Sequence, residues 1–75
     1  MDDKLTHLIE TAIKIKKTFS KDAIRLQIYE DSARAIITVN ALNDLETLNQ
    51  MADGLEMNLV PVDNELEIRL YENLS

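Results

Sequence analysis

The chain of 75 residues has no cysteine and no tryptophan, and it has one glycine, one proline and one histidine. Without cysteine it can form neither a disulfide nor a thiolate metal site, and one histidine cannot build the usual zinc site. A single glycine cannot supply a glycine-rich phosphate-binding loop. No apolar run is long enough to span a membrane. We therefore expect no metal, no cofactor and no enzymatic activity.

The chain is too short for more than one domain and one core, so we predict a single domain over residues 1–75. A core of this size rarely supplies more than ~3–5 kcal/mol of stability, and small proteins often add a disulfide, a metal or a partner chain. Because the first two are not expected here, we predict a homodimer. The acidic start, Met-Asp-Asp-Lys, lacks the features of a signal peptide, which predicts a cytoplasmic protein.

Charge is divided unevenly along the chain. Up to Arg34 there are seven Lys and Arg residues against six acids, whereas the rest of the chain has eight acids against one base, Arg69. The second half is therefore a concentrated source of negative potential, which attracts a basic partner and repels nucleic acid.

Two segments have the apolar spacing of amphipathic helices. The first runs from Asp2 to about Thr18. The second begins at Asn43, which forms a capping-box pattern with Glu46, and we expect it to end near Gly54 in a left-handed C-terminal cap. The apolar stripe of the first comprises Leu5, Leu8, Ile9, Ala12 and Ile13, and that of the second comprises Leu45, Leu48, Met51, Ala52 and Leu55.

Two further segments alternate with a period of two and predict β-hairpins. The first hairpin turns at Asp31-Ser32, and its expected pairs are Ile28 with Ala35, Leu26 with Ile37 and Ile24 with Val39. The second joins Glu56 to Val62 and Glu65 to Tyr71 through a turn at Asp63-Asn64. Its expected pairs are Val62 with Glu65, Pro61 with Leu66, Leu59 with Ile68 and Met57 with Leu70. Both registers place the apolar residues on one face.

These elements predict an α+β fold, a two-layer αββαββ sandwich with two helices on one face of a four-stranded antiparallel sheet. Pro61 cannot donate a ladder hydrogen bond, which places the third strand at an edge. A right-handed crossover then gives the strand order 3-4-2-1. This arrangement resembles a circularly permuted ferredoxin-like fold.

The uncovered face of this sheet is the predicted partner-binding site. It combines apolar, aromatic and charged side chains, as many interfaces do. The residues assigned to it are Tyr29, Ile36, Val60, Val62, Glu65, Glu67, Arg69 and Tyr71.

Other candidate residues indicate structural roles. His7 falls on the solvated face of the first helix with Glu10 and Lys14, away from any nucleophile. The acidic run from Asp63 to Glu67 lacks the glycine of a calcium loop. Tyr29 and Tyr71 lie on strands that are not adjacent in the expected order, so no RNA-stacking platform is predicted.

The sequence therefore predicts a small acidic, non-enzymatic protein-interaction module whose partner carries Lys or Arg, with no role in binding nucleic acid or membranes. One alternative is an inhibitor of the phage or mobile-element type that mimics nucleic acid. Another is a small-ligand-binding domain with its site in a dimer cleft, which a buried pocket lined by Tyr29, Arg69 and Tyr71 would favour.

Overall fold

A computed structural model of the protein describes residues 3–74. Two helices and four strands follow one another along the chain in the predicted order αββαββ. The strands form one antiparallel sheet with the spatial order β1-β2-β4-β3. Counted from the opposite edge of the sheet, this is the predicted order 3-4-2-1. The order is compatible with the permuted ferredoxin-like arrangement. The elements are α1 (Asp3–Phe19), β1 (Arg25–Ile28), β2 (Ser32–Val39), α2 (Leu45–Ala52), β3 (Glu56–Val62) and β4 (Glu65–Asn73).

Helix α1 follows the predicted stripe in part, because Ile13 of that stripe is 39% exposed and Ile15, outside it, is fully buried. Leu8, Ala12 and Ile15 are buried against the sheet. Asp3 in the first turn and Lys16 and Lys17 in the last turn complement the helix dipole. Asp2, where we expected the helix to begin, lies outside the described residues.

The second hairpin has the predicted register. Val62 lies opposite Glu65 and Leu59 opposite Ile68, and the pairing continues to Glu56 with Tyr71. Asp63 in the turn has a φ of 55°, a left-handed conformation that Asp tolerates better than most residues. The strand β4 continues to Asn73, two residues beyond the predicted end.

The predicted register of the first hairpin is wrong by two residues. Leu26 lies opposite Ala35, and Ile28 opposite Ala33. The N–H of Tyr29 donates to the carbonyl of Ser32 over 2.8 Å, so the two turn residues are Glu30 and Asp31 and not Asp31 and Ser32. Ile24 precedes the strand. A shift of two leaves every side chain on its predicted face, which is why alternation could not reveal it.

Helix α2 begins one residue later than predicted. Its N-cap is Asp44, whose Oδ1 accepts the Thr47 N–H over 3.0 Å and whose Oδ2 accepts the Thr47 hydroxyl over 2.6 Å. The predicted cap, Asn43, is thus wrong. At the other end the C-cap residue is Asp53, with a φ of 50°, and Gly54 follows it with a φ of 82°. Gly54 therefore has the predicted left-handed backbone but shares the turn with Asp53.

The core lies between the two helices and the central strands β2 and β4. Helix α1 packs mainly on these two strands and contacts α2 at its side. The small residues Ala33 and Ala35 of β2 are buried, which leaves room for α1 to lie close to the sheet. The fully buried larger side chains are Leu8, Ile15, Ile37, Val39, Leu48, Ile68 and Leu70.

Strand β1 lies at the edge of the sheet, beyond the area that the helices cover. Leu26 and Ile28 point to the helix side, as predicted, because they pair with Ala35 and Ala33. They are nevertheless 41% and 57% exposed. The first hairpin therefore contributes only part of its apolar face to the core.

Candidate functional site

The open face of the sheet carries the side chains that alternate away from the helices. The register aligns them in rows that run across the strands. These rows are Thr38–Glu67–Val60, Arg25–Ile36–Arg69–Asn58 and Gln27–Arg34–Tyr71–Glu56.

Glu67 is the centre of the first polar cluster on this face. Its Oε1 accepts hydrogen bonds from Arg69 Nε over 3.0 Å and from Arg69 Nη2 over 2.7 Å, and its Oε2 pairs with Arg25 Nη2. The Glu67 side chain is only 10% exposed. The hydrogen bonds from Arg69 are the main cause that lowers the pKa of the Glu67 carboxyl, and the same contact raises the pKa of the Arg69 guanidinium. This carboxylate is therefore neutralised within its own chain.

Arg34 organises a second polar cluster beside the first. Its Nε donates to Gln27 Oε1 over 2.8 Å, and its Nη2 donates to the Tyr29 hydroxyl over 3.1 Å. The Tyr29 hydroxyl in turn donates to Gln27 Oε1 over 2.9 Å. Arg34 thereby links strands β1 and β2 on the open face.

Tyr71 of β4 completes this second cluster. Burial would raise the pKa of its hydroxyl, but hydrogen bonds with Asn58, Arg34 and Arg69 outweigh burial and lower that pKa. Tyr71 pairs with Arg34 across the β2–β4 ladder, so both tyrosines of the chain contact one guanidinium group. Tyr71 lies on β4, as predicted, whereas Tyr29 lies just after the end of β1 and not on the strand, and Arg34 spans the gap between the two tyrosines.

A depression of about 620 Å³ lies at the end of the sheet near the β1–β2 turn. It opens to solvent, and Arg34 rather than Arg69 lines it together with the two tyrosines. It thus differs from the buried pocket that the small-ligand alternative requires. Its charged and aromatic lining consists of Tyr29, Arg34, Tyr71, Asp31, Glu56 and Glu72, with Ser32, Ala33 and Asn73 between them.

The predicted partner-binding residues all lie on the open face or at its margin, but they differ in accessibility. Tyr29 is 53% exposed and Val62 is 38% exposed. Glu65 is exposed, whereas Val60, Arg69 and Tyr71 are half-buried.

Two members of the predicted set are buried. Ile36 is only 4% exposed, because it lies between Arg25 and Arg69, whose aliphatic stems shield it while their guanidinium groups reach Glu67. Glu67 is 8% exposed. An alternation pattern assigns a side chain to a face but does not show which neighbours cover it.

Four residues of the open face that hydrogen-bond to members of the predicted site were not assigned to that site, namely Arg25, Gln27, Arg34 and Asn58. All four alternate with the apolar residues of their strands, so the period-two pattern held the signal for their face. The contacts of Arg25, Gln27 and Arg34 depend on the register of the first hairpin, which differs from the predicted one, whereas the hydrogen bond between Asn58 and Tyr71 lies in the second hairpin, whose register was predicted.

His7 is less solvated than we predicted. Its Nε2 lies 3.5 Å from the Asp53 carbonyl oxygen and 3.7 Å from Asp53 Oδ2. The side chain is 39% exposed. This contact ties the N-terminal part of α1 to the end of α2.

Within residues 3–74, no group of three or more His, Asp or Glu side chains is arranged to hold a metal ion. In the same part of the chain, no helix combines the length and the apolar character needed to cross a membrane. Comparison of the chain with known protein families, with curated proteins and with solved structures found no significant match.

Proposed function

We propose that the chain is a cytoplasmic, non-enzymatic protein-interaction module that forms a homodimer and binds a protein partner through a Lys or Arg side chain. The observation that carries this proposal is the depression at the end of the open face, whose lining combines two tyrosines, three acidic residues and one arginine.

The electrostatics of the depression favour a cation. The lining includes the acidic residues Asp31, Glu56 and Glu72, and Arg34 is its single base. Glu56 shares the open face with Arg34 and Tyr71, whereas Glu72 pairs with Ala33 on the row that alternates to the helix side. The hydrogen-bonding groups of Arg34 are already directed at Gln27 and Tyr29. An incoming ammonium or guanidinium group therefore has carboxylates to pair with, and the excess of acids raises its rate of encounter.

The tyrosines add a contact for the same group. A cation over the face of a tyrosine ring gains roughly 0.5–2 kcal/mol, depending on how far it is desolvated. Tyr29 is exposed and Tyr71 is half-buried, so one ring is accessible from solvent and the other lines the floor. The depression can hold the apolar stem of a Lys or Arg side chain as well as its charge.

The wider surface supports the same partner. In the second half of the chain, Arg69 is committed to Glu67, while Asp44, Glu46, Asp53, Glu56, Asp63 and Glu65 are exposed. The negative potential of this half is therefore directed outward, where it can orient a basic surface before contact.

The test is a titration of the isotope-labelled protein with a short oligolysine peptide, followed by NMR. We expect saturable chemical-shift changes centred on Tyr29, Arg34 and Tyr71, and an affinity that falls as salt is raised. An oligoglutamate peptide of the same length should produce no such changes. Shifts spread evenly over all exposed acids would contradict a defined site.

Charge-reversal variants test whether the oligolysine peptide binds at the depression. The double variant Asp31→Lys, Glu56→Lys should weaken oligolysine binding at least about tenfold, because it removes two acidic residues that line the depression and adds repulsion there. Glu67 is unsuitable for this purpose because it is buried and paired within the chain. The matched control is Glu10→Lys, Asp22→Lys, which makes the same change of net charge at exposed positions in α1 and in the loop that follows it. Equal weakening by both double variants would show attraction to net charge and not to the depression.

A further inference from the structure

An apolar surface is exposed where strand β1 meets helix α1. We call it the β1 edge surface and define it by Ile9, Ile13, Ile24, Leu26 and Ile28. Ile13, Leu26 and Ile28 are 39%, 41% and 57% exposed. Ile9, Ala12, Ile13, Ile24 and Leu26 line an apolar groove of about 200 Å³ between the helix and the strand. Contiguous exposed aliphatic side chains of this kind mark association sites.

The backbone of β1 has a free hydrogen-bonding edge at the same place. Within the described residues, β1 pairs with β2 alone. The N–H of Tyr29 points to β2, where it donates to Ser32. Because these directions alternate in an antiparallel ladder, the N–H and C=O groups of Leu26 and Ile28 point away from β2. The two most exposed aliphatic residues of β1 thus also present unpaired backbone groups.

The opposite edge of the sheet is protected. Strand β3 carries Pro61, which has no N–H to offer to an added strand. A proline on an edge strand is one of the common devices that prevent edge-to-edge pairing. Strand β1 contains no proline, so it is the edge of this sheet at which a further strand can add.

The charges at the start of β1 are opposite in sign to those at its end, so two copies of the strand that pair antiparallel are electrostatically complementary. Before and at the start of the strand lie Lys21, Asp22 and Arg25, which carry a net charge of +1, and Glu30 and Asp31 follow its end with a net charge of −2; all five residues are exposed. Arg25 also pairs with Glu67 of its own chain, so Lys21 is the uncommitted base of this flank. When two copies pair antiparallel about a two-fold axis, the start of each strand lies beside the end of the other. Basic residues then meet acidic ones twice, whereas parallel pairing would bring like charges together.

We infer that a second copy of this chain pairs with β1 in an antiparallel arrangement, edge to edge, to form a continuous sheet with four strands from each copy. In the register that satisfies the free backbone groups, Gln27 of the two copies meets at the axis, and Leu26 of one copy exchanges two hydrogen bonds with Ile28 of the other. The aliphatic side chains of both strands then form one apolar surface on the helix side, bordered by Ile13 of each α1.

The proposed function includes a homodimer, and this inference rests on that part of it. It adds the geometry of the dimer. It does not depend on the depression that is proposed to bind a basic partner. The oligolysine titration is therefore repeated on a monomeric variant. Binding that persists there, together with failure of the dimer tests below, would reject the β1 pairing and leave the basic-partner site intact.

Sedimentation of the wild type and of single variants tests the surface. We expect a dimer for the wild type and a monomer with an unchanged far-UV circular dichroism spectrum for Ile28→Glu, because the introduced carboxylate would be buried without a partner. The matched control is Val62→Glu, at a similarly exposed aliphatic position on the other edge strand, which should remain dimeric. A wild type that is monomeric at high concentration, or a dimer that Val62→Glu breaks and Ile28→Glu does not, would overturn the inference.

Hydrogen exchange tests the strand pairing without any substitution. The amides of Leu26 and Ile28 should exchange slowly in concentrated wild type and quickly on dilution, while the amide of Tyr29 stays protected at both concentrations. Fast exchange of Leu26 and Ile28 in a dimer would mean that the copies contact each other without forming the predicted ladder.

A charge swap tests the orientation and remains informative if Ile28→Glu fails to fold. Lys21→Glu should raise the dissociation constant of the dimer about fivefold, since each introduced carboxylate repels the acidic end of the other copy's strand. Adding Glu30→Lys should restore the affinity by exchanging the two charges. If the double variant dissociates more readily than Lys21→Glu alone, the two strands do not run antiparallel.

Discussion

Glu67 is the only charged residue of residues 3–74 that is buried, with 8% of its surface exposed, and it lies on the face of the sheet that no helix covers. Arg69 approaches it from two residues farther along the same strand, β4, and Arg25 reaches it from β1 across β2. A buried carboxylate is costly unless it is paired and hydrogen-bonded, and here both oxygens have partners. The two arginines also explain why Ile36 is shielded on an otherwise open face.

The ion pairs of Glu67 predict a specific pH dependence of stability. Because the pKa of Glu67 in the folded protein lies below its ordinary value of 4.5, its contribution is fully present above that value and is lost as the pH falls through the folded-state pKa. At neutral pH we expect Glu67→Gln to lower the free energy of unfolding by about 1–2 kcal/mol. The difference between wild type and variant should shrink in acid. Urea unfolding at a series of pH values measures it.

Glu65→Gln is the matched control for this prediction. Glu65 lies on the same strand and the same face, but it is exposed. Its replacement makes the same change of charge and should alter the free energy of unfolding by less than about 0.5 kcal/mol at every pH. A pH-independent difference between wild type and Glu67→Gln would mean that the carboxylate contributes through its shape and not through its charge.

At the level of the elements, the start of helix α2 shows how closely spaced cap candidates are distinguished. Asn43 and Asp44 are both good N-cap residues, and each is followed three positions later by a residue that can take part in capping, Glu46 or Thr47. The structure uses Asp44, whose two oxygens bind the amide and the hydroxyl of Thr47. These hydrogen bonds also lower the pKa of the Asp44 carboxyl.

This difference predicts unequal effects for two similar truncations. Asp44→Ala should lower the free energy of unfolding by about 1 kcal/mol, because the amide of Thr47 loses its partner. Asn43→Ala should change it by less than about 0.5 kcal/mol. Chemical denaturation of the two variants in parallel compares them, and a larger loss for Asn43→Ala would restore the capping box that the sequence suggested.

The two hairpins show which elements were predictable and why. In the second hairpin the register was correct, since the short turn at Asp63-Asn64 joins the strands directly and determines every later pair. In the first, either Asp31-Ser32 or Glu30-Asp31 can form the turn, and both choices place the apolar residues on the same face. Only the backbone hydrogen bond of Tyr29 distinguishes them.

For the molecule as a whole, stability depends on one small core. Leu70 is fully buried at its centre, on the strand that pairs with both β2 and β3. Truncation of a buried leucine typically costs about 2–5 kcal/mol. That cost approaches the ~3–5 kcal/mol that a single core of this size provides.

We therefore expect Leu70→Ala to be largely unfolded at room temperature, as measured by far-UV circular dichroism and urea unfolding. The same substitution at Leu45, which is 49% exposed at the start of α2, should change the free energy of unfolding by less than about 1 kcal/mol. A folded Leu70→Ala variant with a stability close to wild type would show that the core tolerates a cavity or that association supplies the missing free energy.

The order of residues along the chain was sufficient for the helices, the strands, the face to which each strand side chain points and the strand order, because helical and extended periods differ and are visible locally. Pro61 likewise predicted that its strand lies at an edge of the sheet, because a residue without an N–H cannot donate a ladder hydrogen bond in a central strand. Neighbours on other strands decided the rest: the shielding of Ile36, the pairing of Glu67, and the meeting of Arg34 with Tyr71. These depend on register and on where the two helices end over the sheet. Both are non-local, because a shift of two residues or a strand left uncovered leaves every local pattern unchanged.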